Sequence, residues 1–397
     1  MSKQLPRGWQ KVRLGDICDI NVNSLKENTN KNYQFKYIDL SSVKNGIIDF
    51  PNNYITFKNA PSRARRIIKI DDVIMATVRP NLKGFAYISF DPKEYICSTG
   101  FAVLTSKSEI CMKYIYQILY ANYIEKQISN MLVGSNYPAL NTSDILNIKI
   151  LLPPIDEQKR IAEVLSLCDD LIENLTKLIE KKEIYKKGVM QRVLTGKVRF
   201  NGFTDEWETV RLGDMVEMSS GGTPNTKNKE YYNGNIVWVT IKDITTSNKF
   251  LYDSEKKITK KGLENSSAKI FPINTILYAM YASIGECIIS KVECATSQAI
   301  LGIECSNRIN FMFLYYLLLN NKNNAKKMRQ TGTQPNLNKQ IVSDFEFNIP
   351  SLEEQNKIAE LLTLIDQDID NLKQLLHLRK LQKKGLMQKL LTGEVRI

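Results

Sequence analysis

The chain has 397 residues, of which 43% are hydrophobic and 24% charged, an ordinary balance that sets aside a disordered or fibrous protein. The longest apolar run, residues 311–319, falls short of the ~20 residues a membrane span needs. Met1-Ser2-Lys3-Gln4 also lacks the apolar stretch of a signal peptide, so a cytoplasmic protein is expected. A formal charge of +13 and a pI near 9.2 favour a polyanionic partner, with solubility alone as the competing explanation.

Residues 1–152 read as a first domain. They carry 20 basic and 12 acidic side chains, against 10 and 8 in 153–200, 17 and 15 in 201–349, and 8 and 7 in 350–397, so the surplus is concentrated here. The segment opens on Trp9 and Val12-Arg13-Leu14-Gly15-Asp16. Short β-rich runs at 37–40, 73–78 and 101–104, separated by Asn/Gly/Ser connectors, predict strands joined by turns, and one helix is expected over 112–131. Two loops offer donors suited to base edges or phosphates: Arg79, Asn81 and Lys83 in one, Ser135, Asn136 and Tyr137 in the other. Arg63, Arg65 and Arg66 form the densest arginine cluster and are candidates to grip phosphates.

Residues 153–200 read as a helical segment. After Pro153-Pro154, the apolar residues Ile161, Leu165, Cys168, Ile172, Leu175 and Ile179 alternate steps of four and three, the stripe of a coiled-coil seam. Proline before the start and Gly188 near the end fit helix boundary signals. A helix of about 32 residues would be about 48 Å long. Lys181, Lys182, Lys186 and Lys187 fall where the helix macrodipole would be negative.

Residues 201–349 read as a second domain built like the first. Trp207 and Val210-Arg211-Leu212-Gly213-Asp214 return at an offset of 198, while Cys294 and Thr296 answer Cys97 and Thr99 at 197. Pro335-x-Leu337-Asn338 answers Pro138-x-Leu140-Asn141. Strands are expected at 236–241, 275–279 and 299–301, and a helix at 311–328. The DNA-contacting candidates of this half are Thr223, Lys242, Tyr278, Tyr281, Ser283, Thr333, Gln334 and Asn336. Any one polar loop is usually just solvated; recurrence at equivalent places in both halves is what raises the functional reading.

Residues 350–397 repeat the helical segment without a gap, Pro153 to Arg199 matching Pro350 to Arg396. Asp156-Glu157-Gln158 and Thr195-Gly196-Lys197-Val198-Arg199 return as Glu353-Glu354-Gln355 and Thr392-Gly393-Glu394-Val395-Arg396. The stripe returns at Ile358, Leu362, Ile365, Ile369, Leu372 and Leu376, with Gly385 near the end and Lys383-Lys384 as its cations. One such helix has nowhere to bury its stripe, and two have an obvious partner in each other. The expected fold is α+β: two tandem β-rich domains joined by long helices that pair as an antiparallel coiled coil, with a pseudo-twofold internal repeat. The alternative lays each helix on its own domain.

Chemistry of its own is not expected. The single histidine, His377, directly follows a seam residue, and neither a phosphate-binding Gly-x-x-x-x-Gly-Lys-Ser/Thr loop nor a Gly-x-Gly-x-x-Gly run occurs. No Asn/Asp-Pro-Pro-aromatic sequence of a methyl-transfer site is found, and Asp243, Glu255 and Lys257 make a nuclease set only by chance spacing. Cys18, Cys97, Cys111, Cys168, Cys287, Cys294 and Cys305 form no Cys-x-x-Cys pair and read as buried small hydrophobes, so no disulfide framework, metal or cofactor site is assigned.

Taken together, the Trp-x-x-Val-Arg-Leu-Gly-Asp openings resemble the specificity subunit of type I restriction–modification systems, over almost the whole chain. The resemblance also rests on Ser220-Gly221-Gly222-Thr223-Pro224 leading to Tyr231-Tyr232 and Ile236-Val237-Trp238-Val239, on both Glu-Gln helix starts and on both Leu-Thr-Gly-x-Val-Arg closures. It implies two target-recognition domains, each reading one half of a split asymmetric DNA site, with the paired helices setting an unread spacer and docking two modification subunits. S-adenosylmethionine, ATP and magnesium would belong to the modification and restriction partners, with none bound by this chain. The first domain has Asn21-Val22-Asn23-Ser24 in place of the Gly-Gly-Thr-Pro loop, so that loop is not matched residue by residue. The competing reading is a stand-alone architectural or regulatory DNA-binding protein without partner enzymes.

Overall fold

The computed structural model describes residues 5–44, 46–132, 138–330 and 336–397. The chain folds as two compact units, one of residues 1–176 with 374–397 and the other of 177–373. Each unit contains a globular domain and a portion of both long helices, Ile155–Val193 and Leu352–Leu390. Among the described residues no helix is long and apolar enough to cross a membrane.

In the first unit the strands form two four-stranded sheets. One is wholly antiparallel, in the order Cys18–Ile20, Phe101–Ser106, Val73–Ala76, Phe85–Tyr87. The other is mixed, in the order Ile55–Thr56, Gln34–Ile38, Tyr95–Ser98, Ala64–Ile67, with its central pair parallel. The second unit repeats both sheets: Val216–Ser220, Ile300–Cys305, Ile276–Ala279, Cys287–Ser290 and an added edge strand Phe250–Leu251, then Lys257–Ile258, Tyr232–Val239, Cys294–Thr296, Ile270–Phe271. All six runs expected to be strands overlap these elements. Every residue of Val73–Ala76 and Ile276–Ala279 is buried, because alternate side chains feed two different cores: Ile276 and Tyr278 one, Leu277 and Ala279 the other.

A two-stranded ladder in each unit pairs the opening segment with the strand that leads into the long helix, Gln10–Arg13 with Lys149–Leu152 and Glu208–Arg211 with Glu346–Ile349. It places Trp9 at the foot of the first long helix, where its Nε1 donates to Glu157 at 3.2 Å. The glutamines of the two Glu-Gln motifs serve as struts. Gln158 donates to the Pro153 carbonyl and accepts from the Cys111 amide, and Gln355 does the same with Pro350 and Asn310.

Within each unit the two long helices run antiparallel. In the first, Asp169 pairs with Lys383 and Glu157 with Arg396; in the second, Glu183 pairs with Lys373 and Lys186 with Asp366. Partner numbers fall along one helix as they rise along the other. The stripe is shared between helix and domain. Ile161, Leu165, Ile358 and Leu362 are fully buried in the cores of their own domains, whereas Leu175, Ile179 and Ile369 are buried further along. Cys168, Ile172, Ile365, Leu372 and Leu376 are half-buried.

Two boundary expectations are corrected. The helices do not stop at Gly188 or Gly385; both glycines lie inside 39-residue helices, exposed, with open space where a Cβ would sit. The chain turns instead at Gly196 (φ +68°) and Gly393 (φ +72°), the left-handed conformation that glycine adopts without a Cβ penalty. The lysines at 383 and 384 therefore precede the last turn, outside the short reach of the macrodipole. The helix expected over 112–131 is two helices, Met112–Ile118 and Asn122–Met131, because Ala121 is extended (ψ 140°) and caps the second. Buried Leu119 and the Tyr120 hydroxyl, which donates to the Phe85 carbonyl at 3.0 Å, hold that break.

Candidate nucleic-acid interface

In the first unit, the strand Val73–Ala76 leaves its sheet at Thr77, whose amide donates to the Gly100 carbonyl at 2.8 Å and whose carbonyl accepts from Leu140. The chain then makes a tight turn whose ends, Arg79 (φ +49°) and Lys83 (φ +53°), are both left-handed non-glycine residues. Such backbone costs on the order of 1 kcal/mol or more per residue and is retained where it aims a side chain. Here it holds Arg79 and Asn81 exposed. Arg63 and Arg79 line one cavity of about 570 Å³, with Lys44 and Ser41 beside them and Leu40 and Leu82 as apolar wall. Lys83 points elsewhere, paired with Glu125 at 3.0 Å.

The arginine cluster divides. Arg63 is exposed, but Arg65 lies over the Phe57 ring at 4.5 Å and donates to the Ala64 carbonyl. Arg66 is half-buried and donates to Ser24 Oγ at 3.1 Å, its Nε buried with no partner among the described residues. Burial pulls its guanidinium below the ordinary value. The Arg66 side chain thus fastens the loop at 21–25 to the sheet, where the Leu25 amide donates to the Arg65 carbonyl and the Ile67 amide to the Asn23 carbonyl. Ser135, Asn136 and Tyr137 lie outside the described residues.

The second unit repeats the strand exit. The Met280 amide donates to the Ala299 carbonyl at 2.9 Å, and its carbonyl accepts from Leu337 at 3.2 Å. Tyr281 and Ser283 follow, half-buried around Ala282 (φ +55°), with Asn336 half-buried beside Leu337. Tyr278 has no exposure: it is a core residue of its strand, and burial drives its hydroxyl pKa up, which removes it from a direct DNA contact. Thr333 and Gln334 lie outside the described residues. Thr223 meets the Gln298 side chain, and Lys242 is exposed but paired with Glu255. The Gly-Gly pair before Thr223 is required by close approach. A Cβ on Gly222 would lie 2.3 Å from the Ala268 amide nitrogen, while the Gly222 carbonyl accepts from Trp238 Nε1 at 3.0 Å.

Two constellations escaped sequence reasoning. Arg396 grips Glu157 through two nitrogens at 2.7 and 3.1 Å, and Arg199 grips Glu354 at 2.8 and 3.0 Å, so each closing motif binds the helix start of the other copy. Arg396, aided by Trp9 and against burial, holds the Glu157 carboxyl below its ordinary range. The other constellation joins domain to helices: Gln117 donates to Asp169 at 2.8 Å, and Tyr316 donates to Asp366 at 2.6 Å. The equal offset between Asp169 and Asp366, and between Lys186 and Lys383, was the available signal.

Reactive groups are few. Burial pushes the Cys18 and Cys305 thiols up to about 12, and no metal-holding cluster occurs among the described residues. Asp243 is occupied as a helix cap, accepting from the Thr240 and Glu255 amides, so Asp243, Glu255 and Lys257 do not form a reactive set.

This geometry fits non-covalent recognition, and comparison with known proteins gives it a family. The type I restriction modification DNA specificity domain matches twice, over residues 6–183 and 204–378. The chain belongs to that family. The MjaIX specificity subunit of Methanocaldococcus jannaschii is 35% identical over 42% of this chain and 40% of its own length. The MjaVIII specificity subunit of the same organism is 25% identical over 99% of this chain and 94% of its own length. The crystal structure of the HsdS subunit from Thermoanaerobacter tengcongensis superimposes with a TM-score of 0.51 at 25% identity, covering 99% of each chain. The specificity domain thus occurs twice in this chain, and each copy carries its own strand exit, at Thr77 and at Met280.

Proposed function

We propose that this chain is the sequence-specific DNA-recognition subunit of a type I restriction–modification complex, each domain reading one half of a bipartite asymmetric site. The observation that carries the reading is the doubled specificity domain with equivalent strand exits at Thr77 and Met280, one pair of polar loops per half. Phosphate contacts supply affinity and base-edge contacts supply the choice of sequence. Arg63, Arg79 and Asn81 in the first unit, and Thr223, Tyr281, Ser283 and Asn336 in the second, are the described residues best placed to make them.

The partners are two modification subunits, which dock on the long helices, and restriction subunits. Exposed Leu167, Leu171 and Leu378 in the first unit, and Ile184, Tyr185 and Leu364 in the second, are apolar surface that such docking would cover. S-adenosylmethionine serves the modification subunits, ATP and magnesium the restriction subunits, and this chain contributes no catalytic group. Copurification with a modification subunit, followed by genome-wide mapping of methylated adenines with and without the chain, tests the reading. A stand-alone DNA-binding protein would leave methylation unchanged. Exchanging residues 1–150 for the matching domain of a relative should alter one half of the methylated site only, and a change in both halves would refute independent reading.

A further inference from the structure

The turn that carries Arg79 into the recognition cavity ends on Lys83, and Lys83 opens onto a second cavity. This one, of about 710 Å³, lies where the first domain meets the long helices. Lys126 from the domain and Lys380, Lys383 and Lys384 from the second long helix converge on it with Lys83. Two of the five are neutralised, Lys83 by Glu125 and Lys383 by Asp169. Lys126, Lys380 and Lys384 have no carboxylate partner among the described residues. The cations are not explained by the helix end, since the helix runs on to Leu390.

The whole unit is biased the same way, with 28 Lys and Arg against 19 Asp and Glu, compared with 27 against 23 in the second unit. The cavity wall offers little to a base. The Tyr120 hydroxyl donates to the Phe85 carbonyl, the Tyr123 hydroxyl accepts from the Leu151 amide, and the Thr392 hydroxyl donates within its own helix. Two lining amides, Asn122 and Gln388, are suited to a base edge, but the five ammoniums outnumber them, and that balance is the chemistry of a phosphate grip.

We propose that this lysine cavity binds the sugar-phosphate backbone of duplex DNA next to the half-site read by the first domain, adding affinity without sequence preference. It rests on the DNA-recognition reading above and extends it to residues beyond the recognition cavity. Ammoniums are point charges whose phosphate contacts release counterions, so each contacted phosphate adds about 0.9 to the slope of log affinity against log salt.

The test uses the full chain assembled with its modification subunits and duplexes bearing either the mapped methylation site or a scrambled one. Lys126→Gln/Lys380→Gln/Lys384→Gln should lower the salt slope by about 2 to 3 on both duplexes, leaving their affinity ratio unchanged. The corresponding Lys→Arg triple should retain the slope. An unchanged slope in the Gln triple overturns the proposal. So does a loss of modification-subunit binding with the DNA slope intact, which would make the cavity a protein-docking surface. If the wild-type complex does not distinguish the two duplexes, the recognition reading itself fails, a result separable from both.

Discussion

The two halves place the same carboxylate in different surroundings, and that difference sets a measurable asymmetry. Asp366 is met by Lys249 Nζ and the Tyr316 hydroxyl, both at 2.6 Å, and by Lys186. Its side chain is 10% exposed and that of Lys249 is 11%. Burial opposes ionisation of Asp366, but the two ammoniums and the hydroxyl outweigh it and hold the carboxyl below its usual range. Asp366→Asn leaves Lys249 buried without its counter-charge, a change that costs about 3–5 kcal/mol. Asp169, its counterpart, is 37% exposed and meets one ammonium, that of Lys383 at 14% exposure, where Asp366 meets two, so Asp169→Asn should cost less, about 1–2 kcal/mol.

With a urea slope of about 2.5 kcal/mol per molar, these become midpoint losses of about 1–2 M and about 0.4–0.8 M. The chain has three tryptophans, Trp9 in the first unit and Trp207 and Trp238 in the second, so 5-fluorotryptophan labelling gives one ¹⁹F resonance per ring and reads the units separately. The second-unit rings should lose their native signals at the lower urea concentration in Asp366→Asn. Adding Lys249→Met should recover part of the loss by removing the orphaned charge. Equal losses for the two Asp→Asn variants, or a loss below about 0.5 M for Asp366→Asn, would refute the argument from burial.

Acid should act on the same groups. Glu157 and Asp366 have folded values below their unfolded ones, so their contribution is present above about pH 4 and is lost as pH falls through the folded values. Urea midpoints taken between pH 7 and pH 3 should therefore drop at the acid end, and Asp366→Asn should flatten the drop in the second unit alone. Gly188→Ala and Gly385→Ala should each stabilise by roughly 0.5–1 kcal/mol, being exposed helix-interior positions with open space, as thermal melts would register. Gly393→Ala should destabilise, since its φ is positive and the new Cβ would lie 2.5 Å from Pro6. Gly222→Ala should displace the loop before Thr223 and blur the second half-site in methylation maps while sparing the first; loss of both would contradict independent domains.

The repeat, the strands and the antiparallel helices were legible because each leaves a periodic trace in the sequence. Tyr278 shows a limit. It lies in an apolar run whose alternate residues enter two cores, and that run already announced a strand covered on both faces. Gly188 and Gly385 misled because a glycine costs a helix only about 1 kcal/mol, less than the packing on either side supplies. Arg65 and Arg66 were grouped with Arg63 by spacing, but neighbouring residues of a strand point to opposite faces, and only the fold says which face meets Phe57 and which Ser24. The lysine cavity draws on positions about 250 and more residues apart, Lys126 and Lys380 among them, a proximity that no local pattern encodes.

Leu390 and Leu391 belong to the core of the first unit, and Arg396 completes the seal over Glu157 and Trp9. On the ribosome, the domain made first is therefore the last to be closed. The second unit holds everything it needs by residue 373, whereas the first waits for about 200 further residues, on the order of 10–40 s of translation. Through that interval the apolar surface that Leu386, Met387, Leu390 and Leu391 cover stays open. That delay makes the nascent first domain a natural client for holding chaperones, and it makes cleavage near the far end of the chain an injury to its beginning.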